Sequence, residues 1–298
     1  MPWWTAAGPI VHHTGVTVAR DTTDEKINDG KVIDEERFPM VTEGRIAGSR
    51  GLLGRRIFLE ELRPLWHLDG KKTNLQLTEH AIREFGVRYP DVLCGDVGTT
   101  IRKYRQGEWH FDQGWAEHVE RTSPRWSAPA IKAAVAEIHG MREQEAEHLN
   151  PFKQSYYVDH ARKDVVLAAV DERVRGRFDE VIVYSFDSQD GKGLLDFLPE
   201  SATKQTALEY VAGEYGVVRE EVVFCGDSGN DIFPLTAGFS GVLVRNADEQ
   251  LVANVHEAMR NNPGLRAYFA KGGFRGLNGY YTSGVIEGCY HYGVFKDS

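Results

Sequence analysis

Two aspartates, Asp227 and Asp231, lie four positions apart in a glycine-containing stretch that directly follows an apolar run. Carboxylate oxygens are the ligands that Mg²⁺ prefers, and one or two of them commonly hold the ion together with a phosphate group. A loop or a first helical turn would bring both side chains to one side. The spacing therefore predicts a Mg²⁺ site. The alternative interpretation is a solvated turn in which Asp227 begins a helix.

Three polar residues could complete such a site. Lys204 follows Thr203 at the predicted start of a helix, one strand–helix unit before Asp227. Its ammonium group could neutralise a phosphate or a carboxylate at a strand end. Ser228 and Asn230 alternate with the aspartates and can exchange hydrogen bonds beside the metal. The alternatives are a solvated lysine at a helix start and ordinary turn chemistry for the other two residues.

The elements that would position these residues indicate a parallel sheet. The run 222–225 is apolar and partly β-branched, which is typical of a strand buried on both faces. A helix is predicted over 204–215, a second buried strand over 241–244 and another helix over 248–259. This alternation is typical of α/β folds, in which ligands bind outside the carboxyl ends of the strands.

The chain before residue 200 predicts a more two-sided, α+β arrangement, and the chain ends in a predicted helix over 283–291. The helix predicted over 129–141 would present Ala130, Ala133, Ala134 and Ile138 on one face. The further predicted elements are a helix over 75–85, a strand over 91–94, a hairpin around Gln106-Gly107, and a strand, helix and strand over 154–158, 161–174 and 180–186.

The composition is that of an acidic globular protein. The 298 residues include 44 acidic and 35 basic side chains, which gives a net charge of −9 and a pI near 5.7. This balance argues against general nucleic-acid binding, which requires a basic face, but not against a small anionic substrate. Three widely spaced cysteines form neither a zinc pattern nor a disulfide framework, which predicts a cytoplasmic location. No apolar run is long enough to cross a bilayer, so no membrane partner is expected, and the oligomeric state is left open.

Five short pieces of the chain follow one another in a recognisable order and spacing. They are 90–101 (PDVLCGDVGTTI), 150–156 (NPFKQSY), 195–199 (LDFLP), 202–204 (ATK) and 226–231 (GDSGND). With these pieces, residues 75–295 resemble the haloacid dehalogenase-like phosphatases, in the branch that has a large α+β cap between the second and third motifs. The resemblance covers about three quarters of the chain and is closest to sucrose-phosphate phosphatases and related sugar-phosphate phosphatases.

The resemblance implies a division of the chain into a core and a cap. A Rossmann-like parallel-sheet core is expected over 74–100 and 200–298, with an inserted α+β cap over 101–199 that sets substrate specificity. Residues 1–73 have no match in the family, and we expect them to form an atypical, irregular segment. The implied substrate is a small sugar phosphate, and the implied cofactor is Mg²⁺.

The resemblance also implies roles for individual residues. Lys204 corresponds to the third-motif lysine, which steadies the phosphoryl group and the nucleophile. Asp227 and Asp231 correspond to the acidic Mg²⁺ motif, and Ser228 and Asn230 are the polar residues beside it.

In the cap, Lys153 lies in the segment that contacts the sugar end of the substrate. Thr99 and Thr100 lie in the loop that faces the cap.

One motif of this family is absent from the sequence. The family attacks phosphate with the first aspartate of an Asp-x-Asp motif and uses the second as general acid and base, but no Asp-x-Asp occurs in the 298 residues. At the superficially similar sequence around Asp69, His67 takes the place of the nucleophile. The hydroxyl residue of the second motif is expected just before Leu75, where Thr73 is at best a weak substitute.

Two hypotheses follow for the function. In the first, the chain is a Mg²⁺-dependent sugar-phosphate phosphatase by descent, with a frameshifted or wrongly joined start over 1–73. In the second, it is a non-catalytic sugar-phosphate binder or partner subunit. Both predict little or no phosphatase activity and weak Mg²⁺ binding, because the nucleophile and one carboxylate ligand are missing. A Rossmann-type nucleotide binder would need a Gly-x-Gly-x-x-Gly turn after a strand, which 226–231 does not provide.

Overall fold

The computed structural model describes residues 26–28, 31–33, 58–60, 74–85, 89–187 and 191–294. Apart from three short strands, the irregular structure predicted for 1–73 lies outside the described residues, as does Thr73. The strands are β1 (Lys26–Asn28), β2 (Lys31–Ile33), β3 (Phe58–Glu60), β4 (Val92–Gly95), β5 (Thr100–Arg105), β6 (Glu108–Phe111), β7 (Met141–Glu143), β8 (Gln154–Val158), β9 (Glu180–Asp187), β10 (Lys192–Pro199), β11 (Val223–Gly226), β12 (Ser240–Leu243) and β13 (Ala267–Phe269).

Helices and strands alternate one by one only from β10 onward, and most helices have a polar residue at the N-cap. The helices are α1 (Asn74–Phe85), α2 (Gln113–Thr122), α3 (Ala128–Val135), α4 (Lys163–Val174), α5 (Lys204–Glu214), α6 (Ile232–Thr236), α7 (Glu249–Asn261) and α8 (Thr282–His291).

The predicted parallel sheet is confirmed. Strand β11 pairs in parallel with β12, in a register that places Gly226 opposite Leu243, and β12 pairs in parallel with β13. The predicted strands over 222–225 and 241–244 are thus present within one residue. The predicted helices over 204–215 and 248–259 correspond to α5 and α7.

Strands β11 and β12 are covered on both faces. On one face, Phe224 and Leu243 share an apolar cluster with side chains of α2, α5 and α7. On the other face, Cys225 and Val242 pack against Val285 of α8. A strand buried on both faces has no position that favours a polar side chain, which explains the uninterrupted apolar run in the sequence.

A second sheet has the order β3-β4-β5-β6. Strand β3 is parallel to β4, whereas β5 and β6 form the predicted hairpin, in which Arg105 pairs with Glu108 across the turn. Strands β5 and β6 fall in the range 101–199 that the sequence assigns to the cap, yet β5 is hydrogen-bonded to β4. The boundaries of core and cap remain a prediction.

The third sheet is antiparallel and has the order β7-β8-β10-β9. One face is covered by α3 and α4, whose Ile131 and Val166 pack in a cluster with Tyr156, Leu195 and Phe197 of the sheet. Strand side chains alternate between faces, so the neighbouring residues of β8 and β10 point away from these helices. This sheet supplies the polar face described below.

The helix predicted over 129–141 is wrong in its length, and its predicted apolar face is confirmed only in part. Helix α3 ends at Val135, and Met141 belongs to β7, where it pairs with Val158. The fully buried side chains of α3 are Ile131 and Val135. Of the predicted residues, Ala134 and Ile138 pack against the same cluster, whereas Ala130 and Ala133 are exposed. Alanine is a strong helix former, but pairing in the sheet and burial of larger side chains outweigh that local preference.

The glycine-rich end of the chain forms α8 and the loop before it. A Cβ atom on Gly288 would lie 2.4 Å from a methyl carbon of Val242, so the absent side chain lets α8 lie directly on β12. Buried Glu287 accepts hydrogen bonds from the Tyr268 hydroxyl at 2.7 Å and from the Lys271 N–H at 2.8 Å. The terminal helix predicted over 283–291 is confirmed.

Candidate active site

The Asp227 turn begins where β11 ends. Gly226 is needed there because a Cβ atom would lie 2.6 Å from the Cβ of Asp231, which folds back over the strand end. Asp231 Oδ2 accepts hydrogen bonds from the backbone N–H groups of Asp227 at 2.9 Å and Ser228 at 3.0 Å. Asp227 is 7% exposed and Asp231 is fully buried. The two predicted carboxylates therefore lie in one compact turn, which Asp231 holds together.

Lys204 is brought to this turn by the start of α5. Thr203 caps the helix and accepts a hydrogen bond from the Thr206 N–H, so the chain turns into the helix at Lys204. The buried ammonium group donates to Asp231 Oδ1 and to Asn230 Oδ1, both at 2.8 Å. Of the two predictions for this lysine, the solvated one is wrong.

Ser228 and Asn230 complete the buried network. The Ser228 hydroxyl donates to Asn230 Oδ1 at 2.8 Å, so this oxygen accepts from both Ser228 and Lys204. The amide nitrogen of Asn230 is buried and has no hydrogen-bond partner among the described residues. A buried donor without a partner is costly, and such a donor suits an anion or a water molecule at the site.

A left-handed turn over Asp96–Gly98 packs against the start of α5. Asp96, Val97 and Gly98 have φ angles of +54°, +61° and +93°. For β-branched Val97 this conformation is a true outlier. A Cβ atom on Gly98 would lie 2.4 Å from the Thr203 carbonyl, so only glycine allows this approach. The strained turn thus helps fix the end of the helix that carries Lys204.

The predicted loop residues Thr99 and Thr100 follow this turn, and both are buried. Thr99 Oγ1 accepts a hydrogen bond from Asn150 Nδ2 at 2.9 Å. The Thr100 hydroxyl donates to Asp96 Oδ2 at 2.9 Å. Thr99 therefore contacts the 150–156 segment, whereas Thr100 stabilises the turn itself.

Lys153 lies just after Asn150 and is buried. Its Nζ lies 3.7 Å from Asp196 Oδ1 on β10. The same Asp196 oxygen accepts the hydroxyl hydrogen of Ser155 at 2.5 Å. Ser155 pairs with Asp196 across β8 and β10, on the face that points away from α3 and α4. Lys153 is therefore next to a polar patch on the uncovered face of the antiparallel sheet.

The same face of this sheet is turned toward the Asp227 turn. Val183 and Leu198 lie on it and share a cluster with Val97 of the left-handed turn and Phe233 of α6. Strand β9 also contacts the 229–231 turn that carries the aspartates. The antiparallel sheet thus covers the end of β11, as a cap would.

A family model for sucrose-6F-phosphate phosphohydrolase matches residues 69–293, about three quarters of the chain. The chain belongs to this family. The match begins slightly before Leu75, the first residue of the range that shows the resemblance in the sequence.

Two curated relatives of this chain agree with this assignment. A protein of Nitrosococcus oceani that carries the name HAD-like hydrolase is 34% identical over 221 residues, which are 72% of this chain and 59% of that protein. "Probable sucrose-phosphatase 2" of Arabidopsis thaliana is 31% identical over 180 residues, 58% of this chain and 40% of that protein. The chain therefore spans about half the length of these two relatives.

A solved structure supports the fold. The sucrose-phosphatase of Synechocystis sp. PCC6803, determined in complex with sucrose and phosphate, superimposes with a TM-score of 0.59 at 22% identity. The superposition covers 75% of this chain and 82% of that one. The expected parallel-sheet fold with an additional cap is thereby confirmed, and the chain is a member of a phosphatase family.

The oxygen atoms at the Asp227 turn fit Mg²⁺, with the Asp227 carboxylate as the available ligand. Asp231 already accepts from Lys204 and two backbone amides, so its oxygens are largely used within the turn. Among the described residues, no cluster of three or more metal-ligating side chains is present. One available carboxylate is nevertheless enough for Mg²⁺, which keeps several waters and often takes phosphate oxygens as ligands.

Sequence reasoning missed two residues beside Asp227. Asn246 Nδ2 donates to Asp227 Oδ2 at 3.4 Å, and Asn246 Oδ1 accepts from the Tyr281 N–H at 2.8 Å. Burial and the nearby Asp227 carboxylate raise the pKa of the Tyr281 phenol. Asn246 could have been found, because it follows β12 as Asp227 follows β11 and parallel strands end at one edge. Nothing local in the sequence points to Tyr281.

Across the part of the chain that the structure describes, no helix is both long and apolar enough to span a membrane. The cytoplasmic location and the absence of a nucleic-acid partner remain predictions.

Proposed function

We propose that this chain acts on the phosphate group of a small sugar phosphate, with Mg²⁺ at Asp227 and the sugar under the cap. One observation carries the proposal. Buried Lys204 reaches Asp231 and Asn230 over the end of β11, directly below the cap sheet. A buried positive charge beside a carboxylate turn at a strand end is the arrangement expected for phosphate recognition.

Each part of the site has a task in this proposal. Asp227 is the residue that would contact Mg²⁺, and Asp231 orients Lys204 and the backbone of the turn. Bound Mg²⁺ would neutralise charge on the phosphoryl oxygens. The buried amide nitrogen of Asn230 would donate to a phosphate oxygen, and Ser228 fixes its orientation.

The cap would recognise the sugar. Lys153 and the Ser155–Asp196 pair offer charged and hydroxyl groups on the face turned toward the core. Polar groups of this kind recognise sugar hydroxyls by hydrogen bonding. The family to which the chain belongs makes sucrose 6F-phosphate the first substrate to test.

A second function is favoured by one observation, the absence of an Asp-x-Asp sequence from all 298 residues. Without an aspartate nucleophile, two-step phosphoryl transfer through an aspartyl phosphate is not available. The alternative proposal is a non-catalytic sugar-phosphate binder or partner subunit that keeps the Asp227 turn and the cap.

Two measurements on the purified chain separate these functions. The first is phosphate release from sucrose 6F-phosphate with and without Mg²⁺, and the second is calorimetric titration with the same compound. We expect binding of the sugar phosphate. Because the chain has no Asp-x-Asp sequence, binding with little or no release would favour the non-catalytic alternative and overturn action on the phosphate group by this chain. Robust Mg²⁺-dependent release would overturn the non-catalytic alternative, and absence of both binding and release would overturn both proposals.

The matched variants are Asp227→Asn and Asp171→Asn. Asp227→Asn removes the charge of the proposed ligand at constant size and should abolish Mg²⁺-dependent binding. Asp171 forms a surface pair with Arg175 on α4, so Asp171→Asn should leave binding unchanged.

A further inference from the structure

Asn246 lies between the Asp227 carboxylate and the turn that begins α8. Its amide nitrogen donates to Asp227 Oδ2 at 3.4 Å, and its amide oxygen accepts from the Tyr281 N–H at 2.8 Å. The first bond is near the upper limit for a hydrogen bond, and the second is of ideal length. One short side chain thus joins the proposed metal ligand to a different part of the fold.

The turn at Tyr281 has an unusual backbone. Tyr281 has φ +48° and ψ −128°, a conformation that is rare for any residue other than glycine. Such conformations persist only where the surroundings hold them, and they cluster at functional sites. The Asn246 amide oxygen is one of the groups that hold this one, since it accepts the Tyr281 N–H.

The backbone around Asn246 is fixed from both sides. The Arg245 N–H donates to the Gly279 carbonyl at 2.9 Å, which ties the segment to the loop before α8. The Asp248 N–H donates to the Asp227 carbonyl at 2.8 Å, which ties it to the Asp227 turn. The position of the Asn246 side chain relative to both neighbours is therefore set by the fold.

We propose that Asn246 is a positioning residue of the metal site, which orients the Asp227 carboxylate for Mg²⁺ and couples it to the Tyr281 turn. This inference rests on the proposed function. An amide donor orients a carboxylate without bringing a competing positive charge to the cation. Lys204, by contrast, directs its charge at Asp231. Removal of a residue that hydrogen-bonds to a metal ligand commonly lowers metal affinity by about 10- to 100-fold.

The competing explanation is that Asn246 only holds the Tyr281 turn. Asn278 provides a control for that role, because its side chain also accepts a backbone N–H of this turn, one residue earlier and from within the same segment. Asn278 Oδ1 accepts from the Tyr280 N–H at 2.9 Å. Asn246→Ala and Asn278→Ala therefore each remove an asparagine bond to the same turn, but only the first removes the donor to Asp227.

The experiment is a calorimetric titration of the full chain with Mg²⁺, for the wild type, Asn246→Ala and Asn278→Ala. We expect Mg²⁺ affinity to fall by about tenfold in Asn246→Ala and to change by less than about twofold in Asn278→Ala. Amide hydrogen exchange in β11 and β12 verifies that each variant is folded. If Asn246→Ala does not fold, Asn246→Ser, which also lacks the amide donor, takes its place with the same expected loss.

The outcomes separate this inference from the function on which it rests. Wild-type Mg²⁺ binding with an unchanged Asn246 variant, or with equal losses in the Asn246 and Asn278 variants, overturns the positioning role alone. No Mg²⁺ binding by the wild type overturns the metal part of the proposed function and this inference with it.

Discussion

The core and the cap each bury a lysine beside an aspartate, but the two pairs are built differently. Lys204 Nζ lies 2.8 Å from Asp231 Oδ1, and the side chains are 1% and 0% exposed. Lys153 Nζ lies 3.7 Å from Asp196 Oδ1, and the side chains are 6% and 2% exposed. The core pair is a direct, hydrogen-bonded ion pair, whereas the separation in the cap pair exceeds a hydrogen bond.

Neighbouring donors explain this difference. In the core, backbone N–H groups occupy Asp231 Oδ2 and leave Oδ1 for Lys204. In the cap, the Ser155 hydroxyl donates at 2.5 Å to the same Asp196 oxygen that Lys153 approaches. We infer that Lys204 is part of the permanent architecture of the turn, and that Lys153 places a buried positive charge beside the face of the cap turned toward the core.

The largest effect should follow from breaking the core pair. Lys204→Met leaves the fully buried Asp231 charge without its cation, and loss of one partner of a buried ion pair costs about 3–5 kcal/mol. We therefore expect the free energy of unfolding to fall by that amount, measured by urea denaturation at pH 7.

The double variant Lys204→Met/Asp231→Asn is the control, because it removes both charges. It should recover most of the lost stability, since an asparagine can still accept from the backbone N–H groups. A loss below about 1 kcal/mol in the single variant would contradict the view that this pair is a direct ion pair within the core.

The cap pair should matter less for stability and more for binding. Lys153→Met leaves Asp196 with its Ser155 hydrogen bond, so we expect a stability loss of about 1–3 kcal/mol. Sugar-phosphate affinity should fall by about tenfold or more, the equivalent of one charge-assisted hydrogen bond. Calorimetric titration with sucrose 6F-phosphate measures this second effect.

Lys132 offers a matched control in the same domain. Its Nζ lies 2.7 Å from Glu143 Oε2, but the two side chains are 56% and 31% exposed. Surface ion pairs contribute about 0–1 kcal/mol to stability. Lys132→Met should therefore change the free energy of unfolding by no more than this and should leave sugar-phosphate affinity unchanged. If Lys132→Met weakens sugar-phosphate binding as much as Lys153→Met does, Lys153 has no special role in recognition.

The core was predictable from the sequence because its signals are local. The apolar run at β11, the glycine before Asp227 and the spacing of Asp227 and Asp231 all fall within ten residues. Thr203 and Lys204 likewise lie together at a helix start. Short-range patterns of this kind define a strand end and the helix beside it, so the turn could be assembled before the structure was known.

The polar face of the cap and the residues beside Asp227 depend on long-range pairings that no local sequence pattern indicates. Ser155 meets Asp196 only through the register of β8 and β10, and a slip of one residue would separate them. Tyr281 reaches Asn246 only because α8 packs on β12. Helix α3 ended early for the same reason, since Met141 pairs with Val158 in the sheet. Strand register and long-range packing therefore determine which of these side chains meet and where α3 ends, and local propensity does not.

The smallest effect concerns another carboxylate of the cap, Glu145. The Tyr157 hydroxyl donates to Glu145 Oε2 at 2.8 Å, and Arg142 donates to Oε1 at 3.1 Å. Tyr157 lies two residues after Ser155 on β8 and so shares its face of the sheet. Unlike Asp231, Glu145 is 40% exposed, so water screens its interactions.

Tyr157→Phe tests how much of the Glu145 ionisation depends on that hydroxyl. Burial raises the pKa of Glu145, but the hydrogen bonds from Tyr157, from the Glu145 backbone N–H and from Arg142 outweigh it and lower the pKa to about 2. Because the pKa is lower in the folded state, the stabilisation is full above about pH 4.3 and is lost as the pH falls toward 2. Tyr157→Phe should raise the Glu145 pKa, so that the stabilities of variant and wild type differ at pH 7 and converge at low pH.

Carboxyl ¹³C NMR titration measures the pKa directly, with Tyr280→Phe as a control at an exposed tyrosine. An unchanged Glu145 pKa would mean that Arg142 and the Glu145 backbone N–H hold it low without the Tyr157 hydroxyl.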